Sequence, residues 1–222
     1  MNNSVDPTSK TQKKLVDSQT GFFETQALLS SKLRCPVIPP NMVDRSSLSN
    51  KLDNGYKNAL TIVQAPAGFG KTTAVAQWFA QLNRPKAWLG LDELDNDFPK
   101  FISYFYALLI QEKLEPQTPL FTDWSKLGPA SSDSIIANIY HRLRQEKSRP
   151  VIVLDDFHWI TDPALNHFMT RFIKHIDNCV HLVFISRTAL TFNFHEPLLN
   201  NQLTLVNTQE LKFSGFETRS FF

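Results

Sequence analysis

Cysteine is nearly missing from this sequence: Cys35 and Cys179 are the only two, far apart and in no metal-ligand spacing. A disulfide framework and a zinc cluster are both excluded as organising principles, and a reducing, cytoplasmic setting fits best. A dominant charge of one sign is missing too. The 23 Lys and Arg set against 21 Asp and Glu leave a formal net charge of +2, with no basic run able to neutralise many phosphates, so direct DNA binding by this chain is not expected. Long apolar runs are absent as well. The longest candidate, Phe101 to Ile110, is interrupted by Ser103, Tyr104 and Tyr106 and falls short of the roughly 18 residues a membrane span needs. The opening residues, Met1 to Gln26, carry Asp6, Asp17 and Glu24 and no apolar stretch of the kind a secretory signal requires, so secretion is not expected either.

What remains is a core-forming composition. With 42% hydrophobic and 20% charged residues, disorder over most of the length is excluded. The 18 phenylalanines follow the periodic segments and read as core filler rather than as platforms for stacking bases. No internal repeat is visible.

The pattern divides the chain into four regions. Residues 1–26 are polar and aperiodic, the mark of a flexible extension. Residues 27–58 form a strap in which Pro36, Pro39 and Pro40 forbid a continuous helix before a short one at Arg45 to Leu52. From residue 59 to 213, short apolar runs alternate with amphipathic stretches. Strands are expected at Leu60 to Gln64, Lys86 to Leu91, Val151 to Leu154, Val180 to Ser186 and Leu203 to Asn207. Helices are expected at Thr72 to Gln81, Phe98 to Lys113, Ser134 to Gln145 and Pro163 to His175. Glu115 to Ser132, with its prolines and glycine, reads as a loop. Strands without polar alternation, such as Val151 to Leu154, belong to a sheet covered on both faces, so the fold class is α/β: a doubly wound, mainly parallel sheet. In residues 214–222, Ser214 and Glu217 have the S-x-x-E spacing of a capping box. The few residues after Glu217 are too few for a stable isolated helix, which suggests the truncated start of a following helical domain.

The chemistry lies just beyond the strand ends, where such sheets bind ligands. After the first strand, Ala65-Pro66-Ala67-Gly68-Phe69-Gly70-Lys71-Thr72-Thr73 runs into a helix. Backbone N–H groups of such a loop point inward around phosphates, and the helix N-terminus adds positive potential. Lys71 reaches the β- and γ-phosphates, and the Thr72 hydroxyl is placed to ligate Mg²⁺. The general pattern begins with glycine where this sequence has Ala65. After the third strand, Asp155-Asp156 has the form of a Walker B element: Asp155 holds Mg²⁺, and Asp156 orients or deprotonates the attacking water. Arg187, after the fourth strand, is either a sensor of the γ-phosphate or an ordinary strand-end arginine paired with an acid. His158 reads as a polar loop residue. Asp92 and Asp95 lack the glycine and bidentate glutamate of a calcium loop, and Asn96 and Asp97 read as a loop and helix cap.

Taken together, these residues resemble the P-loop, AAA-like nucleotide-binding domain of the STAND NTPases, most closely that of the MalT-like, LuxR-type transcriptional activators. The resemblance runs from about Leu28 to Phe222. It includes Ser31-Lys32-Leu33 with Pro36, Val43 and Arg45, the Pro66 to Thr73 loop, Trp88 to Asp92, Asp95 to Asp97, Leu154 to His158, Ser186-Arg187 and Leu211-Lys212-Phe213. It implies a domain that binds ATP or ADP with Mg²⁺ and serves as a regulatory switch, with weak hydrolysis resetting it. It also implies that Val43 and Arg45 lie on the adenine side, in an element whose glycine is here Asp44. The partners it implies are the nucleotide and either the missing C-terminal domains of the parent regulator or related protomers. Two other readings stand beside it: an autonomous P-loop ATPase or kinase, and a non-catalytic interaction fragment.

Overall fold

Five runs of mostly aliphatic residues form one sheet: β1 (Leu60–Gln64), β2 (Lys86–Gly90), β3 (Val151–Asp155), β4 (His181–Ser186) and β5 (Leu203–Val206). All neighbours are parallel and the order is β2-β3-β4-β1-β5. Every residue of β3 and β4 is buried, which is why these strands read as unbroken apolar runs. The edge strand β5 leaves Leu205 about half exposed. This computed structural model describes residues 30–39, 42–111, 128–176, 179–194, 200 and 202–221. The chain divides into two units, Met1–Ser30 and Ser31–Phe222, and the sheet with its helices belongs to the second. The expected extension of residues 1–26, the end of the helix expected to reach Lys113, and most of the loop expected from Glu115 to Ser132 lie outside the described residues.

Helices cover both faces of the sheet: α1 (Ser46–Gly55), α2 (Lys71–Gln81), α3 (Phe98–Gln111), α4 (Ser132–Leu143) and α5 (Pro163–His175), followed by the short α6 (Thr208–Leu211) and α7 (Gly215–Phe221). On one face Leu52, Val75, Trp78 and Phe79 from α1 and α2 meet Val63, Val153, Val183 and Ile185. On the other, aromatic rings interlock edge to face: Phe101 with Phe157, Phe157 with Phe184, and Phe105 with Phe172. Each fully buried ring contributes about 1.5–3 kcal/mol, and truncating one to alanine costs about 3–5 kcal/mol. Two faces with separate apolar clusters make the sheet a doubly wound sandwich.

Local chemistry ends the helices where the sequence requires it. Asp162 caps α5 by accepting from the Leu165 N–H at 2.9 Å, with Pro163 in the first turn. The Lys86 ammonium donates to the carbonyls of Phe79, Ala80 and Leu82 at the end of α2, where carbonyls lack intrahelical donors. Asp97 caps α3 through the Lys100 N–H. The helix that the S-x-x-E spacing of Ser214 and Glu217 announces is α7. Its capping box is made, with the Ser214 N–H on Glu217 Oε2 at 2.6 Å and the Glu217 N–H on Ser214 Oγ at 3.2 Å. The helix is also not isolated, because buried Arg45 pairs with Glu217 at 3.5 Å and supplies the tertiary anchor a short helix needs.

The amino ends of the strands are pinned by Arg149. Its guanidinium donates to the carbonyls of Tyr56 at 2.8 Å, Asn58 at 2.5 Å and Val180 at 3.1 Å. Beside it His181 is fully buried, with Nδ1 2.9 Å from the Asn58 carbonyl and Nε2 3.2 Å from Thr61 Oγ1. A carbonyl can only accept, so Nδ1 carries a proton, and burial disfavours a second one on Nε2. Burial drives its pKa down to about 3.

Candidate functional site

At the carboxyl end of β1 the chain turns through Ala65 to Gly70 and enters α2 at Lys71. Gly68 (φ 85°) and Gly70 (φ 69°) are left-handed. A Cβ at either would meet nothing within 4 Å, so glycine is required by conformation and not by space. Among the described residues Asp156 is the one non-glycine with positive φ. Ala65 therefore occupies an ordinary backbone region, which is why alanine can replace glycine there. Its N–H is tied to the Ser186 carbonyl at 3.3 Å. Pro66 and Ala67 are exposed on the loop, while Phe69, Thr72 and Thr73 are half-buried. Lys71 is buried and donates to the Pro66 carbonyl at 2.9 Å. Burial lowers its pKa, opposed by Asp156 and Asp155.

β3 lies one strand away from β1, with β4 between them, yet the side chains meet. Thr72 Oγ1 donates to Asp155 Oδ1 at 3.0 Å, and the Asp156 N–H donates to the same oxygen at 2.9 Å. Asp155 is only 6% exposed, and its pKa is pushed up to about 6, first by burial and then by the adjacent Asp156 charge. Asp156, left-handed at φ 54°, ψ 37°, turns its carboxylate toward Arg187 Nε at 3.5 Å and His158 Nδ1 at 3.6 Å. Burial lowers the His158 pKa while Asp156 raises it. Lys71, Thr72, Asp155, Asp156 and Arg187 thus converge at the carboxyl ends of β1, β3 and β4.

Asp92 and Asp95 do something else. They close a capping box on a single 3-10 turn, and Lys32 bridges them at 2.7 and 2.5 Å. Among the described residues no group of three or more His, Cys, Asp and Glu is placed to hold a metal ion, and no helix is long and apolar enough to cross a membrane.

Next to the phosphate-loop turn lies a cavity of about 280 Å³ walled by Met42, Phe69, Ala74, Gln77, Leu211 and Phe213, with Arg45 at its side. Arg45 is buried, with Nε on Glu217 and Nη2 on the carbonyls of Glu210 at 3.5 Å and Lys212 at 3.2 Å. The Phe213 ring lies 5.1 Å from the guanidinium. Val43 takes part through its backbone, its carbonyl accepting from Gln77 Nε2 at 3.2 Å. Sequence reasoning did not place Met42 or Gln77 here, because neither belongs to a motif. Leu211 to Phe213 carried a signal only as part of the resemblance.

Residues 54–191 match the family described as an AAA domain, which is more than half of the chain. The chain belongs to the AAA domain family. The five-stranded, all-parallel sheet with helices on both faces is the P-loop NTPase fold of this AAA domain. Its fold is similar to that of the Walker-type ATPase PABY2304 of Pyrococcus abyssi, at 13% identity and TM-score 0.54, over 85% of this chain and 59% of that one. It is also similar to Cdc6p from Pyrobaculum aerophilum, at 11% identity and TM-score 0.53, over 82% and 49%. A third likeness is to the ORC1 protein of Aeropyrum pernix in complex with DNA, at 13% identity and TM-score 0.51, over 82% and 48%. At such identities the likeness is one of fold, and the AAA domain spans about half to three-fifths of these proteins' lengths. P-loop AAA ATPases bind nucleotide, typically with Mg²⁺.

Proposed function

We propose that this AAA domain binds ATP or ADP with Mg²⁺ and acts as a regulatory switch of weak ATPase activity, of the kind found in MalT-like transcriptional activators. The observation that carries the reading is the Thr72–Asp155 hydrogen bond of 3.0 Å, made between the first turn of α2 and the end of β3, a strand that is not a neighbour of β1, with Lys71 and Asp156 beside it. Hydroxyl and carboxylate oxygens suit a hard divalent cation, and an aspartate whose charge is disfavoured by burial and by a second carboxylate suits one better still. When bound, Mg²⁺ supplies charge neutralisation among the phosphate oxygens. Thr72 would hold it directly and Asp155 would hold its water shell. Lys71 supplies a mobile charge to the phosphates, with Ala65 to Thr73 wrapped around them. Val43 and Arg45 lie on the base side.

Weak turnover follows from what surrounds Asp156. As the residue that orients the attacking water, its carboxylate must give up the guanidinium of Arg187 or the ring of His158 to hold that water. Arg187 in turn is placed to respond to a γ-phosphate that competes for it. A site that exchanges partners at its third phosphate distinguishes ATP from ADP, which is what a switch requires. DNA contacts are not assigned to this chain, whose net charge of +2 yields little counterion release. Its partners beyond nucleotide are further domains of a parent regulator or related protomers.

The test is Lys71→Ala. Calorimetry should show ATP·Mg²⁺ affinity falling a hundredfold or more, with the circular dichroism spectrum unchanged. Wild-type affinity in the variant would refute the phosphate-loop assignment. Nucleotide released from denatured wild-type protein separates the other readings: an interaction fragment holds none, and an autonomous ATPase or kinase turns its nucleotide over.

A further inference from the structure

Two side chains face the carboxylate of Asp156, and both address the same oxygen: Arg187 Nε lies 3.5 Å and His158 Nδ1 3.6 Å from Oδ1. They differ in freedom. The Arg187 side chain is 45% exposed and that of His158 12%, and a long exposed arginine changes rotamer where a ring on a tight turn does not. The turn that carries His158 is fixed on both sides. Asp156 is left-handed, the Trp159 N–H donates to the Asp156 carbonyl, and the Ile160 N–H donates to that of Phe157. Phe157 is buried edge to face against Phe101, Phe184 and Phe192. The His158 ring itself lies beside that of Trp159, with centroids 5.1 Å apart.

Chemistry settles which ring nitrogen holds the proton. Nδ1 is buried, has no hydrogen-bond partner among the described residues, and faces the Asp156 carboxylate. A bare Nδ1 would set lone pair against lone pair there, whereas Nδ1–H turns the same contact into an attraction. Burial disfavours a second proton on the ring. The 3.6 Å separation is just beyond hydrogen-bond length, and contacts of this kind tighten when a site fills. We infer that His158 is a positioning residue for hydrolysis: its Nδ1–H holds Oδ1 of Asp156 when Arg187 is drawn away, and so fixes the carboxylate with Oδ2 turned to the attacking water. This role presupposes that the site binds ATP and turns it over weakly, as proposed above. Of the two partners that Asp156 can give up, the arginine leaves and the histidine stays. A carboxylate held by neither rotates about its own side-chain bonds and presents its base less often in the productive direction.

The experiment measures single-turnover hydrolysis of ATP·Mg²⁺, its binding affinity and the tautomer of the ring, on the full chain near neutral pH. His158→Phe keeps a ring beside Trp159 and has no donor. Its turnover should fall about tenfold or more while ATP affinity stays within about twofold of wild type. His158→Asn places an amide N–H where Nδ1–H stood, and should recover turnover to within about threefold. Proton–nitrogen correlation NMR spectra tell the two tautomers apart for each of the six histidines, and the signal lost in His158→Asn is that of His158. It should report Nδ1–H in wild type and in Arg187→Ala, and Nε2–H in Asp156→Ala. Unchanged turnover in His158→Phe, a fall that His158→Asn does not recover, or Nε2–H in wild type each overturns the inference and leaves the nucleotide site standing. If His158→Phe does not fold, the tautomer decides, and Nδ1–H that persists in Asp156→Ala overturns the assignment. Wild-type protein that binds ATP without hydrolysing it overturns the weak-ATPase reading and the positioning role with it. Wild-type protein that binds no nucleotide overturns the reading of the site itself.

Discussion

At the amino ends of the strands Arg149 is ringed by the carbonyl oxygens of Tyr56, Asn58 and Val180; at the carboxyl ends of the same sheet Asp155 is pressed against Asp156. Both ends hold buried ionisable groups. The first surrounds its cation with fixed acceptors and keeps His181 neutral between a carbonyl and a hydroxyl. The second sets carboxylate beside carboxylate, with Lys71 turned onto a loop carbonyl and Arg187 at the edge. A half-buried charge enclosed by backbone dipoles is architecture. Like charges held together against their own preference can be relieved by something that binds, and such crowding marks candidate functional sites.

Substitutions at the two ends should therefore fail differently. The largest effect is expected for Arg149→Ala, which takes a donor from three carbonyls, leaving Asn58 with His181 Nδ1 alone, and should lower unfolding stability by about 3 kcal/mol or more. Urea denaturation measures it. A loss under about 1 kcal/mol would break the comparison, since surface substitutions do as little. Next is Asp155→Asn, which should raise stability at neutral pH by about 1–3 kcal/mol while impairing Mg²⁺-dependent nucleotide binding. The folded carboxyl is raised from 3.8 to about 6, so the fold favours its protonated form. The wild type loses that advantage as pH rises through about 6, and the variant's gain should vanish below about 3.8. Thermal melts across that range decide, and a variant less stable than wild type at neutral pH would refute the crowding argument.

His181 has the opposite sign. Its pKa falls from 6.5 to about 3, so the fold favours the neutral ring and stability drains away as pH drops below about 6.5 toward 3. Between pH 6.5 and about pH 5 the loss should be about 1–2 kcal/mol, and it should be clearest in the Asp155→Asn background, where the opposing carboxylate no longer masks it. His181→Asn should flatten that slope. The smallest effect belongs to Arg187→Ala. It should weaken ATP more than ADP by about fivefold, read by competitive titration, and equal losses for both would make Arg187 a surface partner of Asp156 only.

All five strands were legible in the sequence to within one residue at each end, because a sheet buried on both faces writes itself as unbroken apolar runs. The helices were legible to within a few residues wherever one face recurs every three or four positions. α6 was missed: its four residues are too few to show a period, although Asn207 and Glu210 form the same kind of capping box that the spacing of Ser214 and Glu217 announces. The order of the strands was not legible, since it depends on pairings such as Leu60 with Leu182 that no local pattern encodes. Of the candidate site, the sequence picked out Lys71, Thr72, Asp155, Asp156 and Arg187, which the structure brings together, but not the cavity beside them. Nothing near Arg45 in sequence announces that its partners are Glu210, Lys212 and Glu217, and nothing near Gln77 announces Val43.

The strand order also sets a schedule. β1 carries the phosphate-loop turn, but its neighbours are β4 and β5, so Leu60 has no strand to pair with until Leu182 and Leu203 exist. β2 and β3 are adjacent in the sheet and are complete while β1 still waits. During synthesis the turn from Ala65 to Gly70 thus leads a long life as an unpaired loop, and closing it brings together the most distant strand partners of the sheet, the slow kind of contact. The candidate site is consequently the last part of the sheet to be framed, and a chain stalled before β4 carries the entire Lys71 motif with no strand beside β1 to hold it in place.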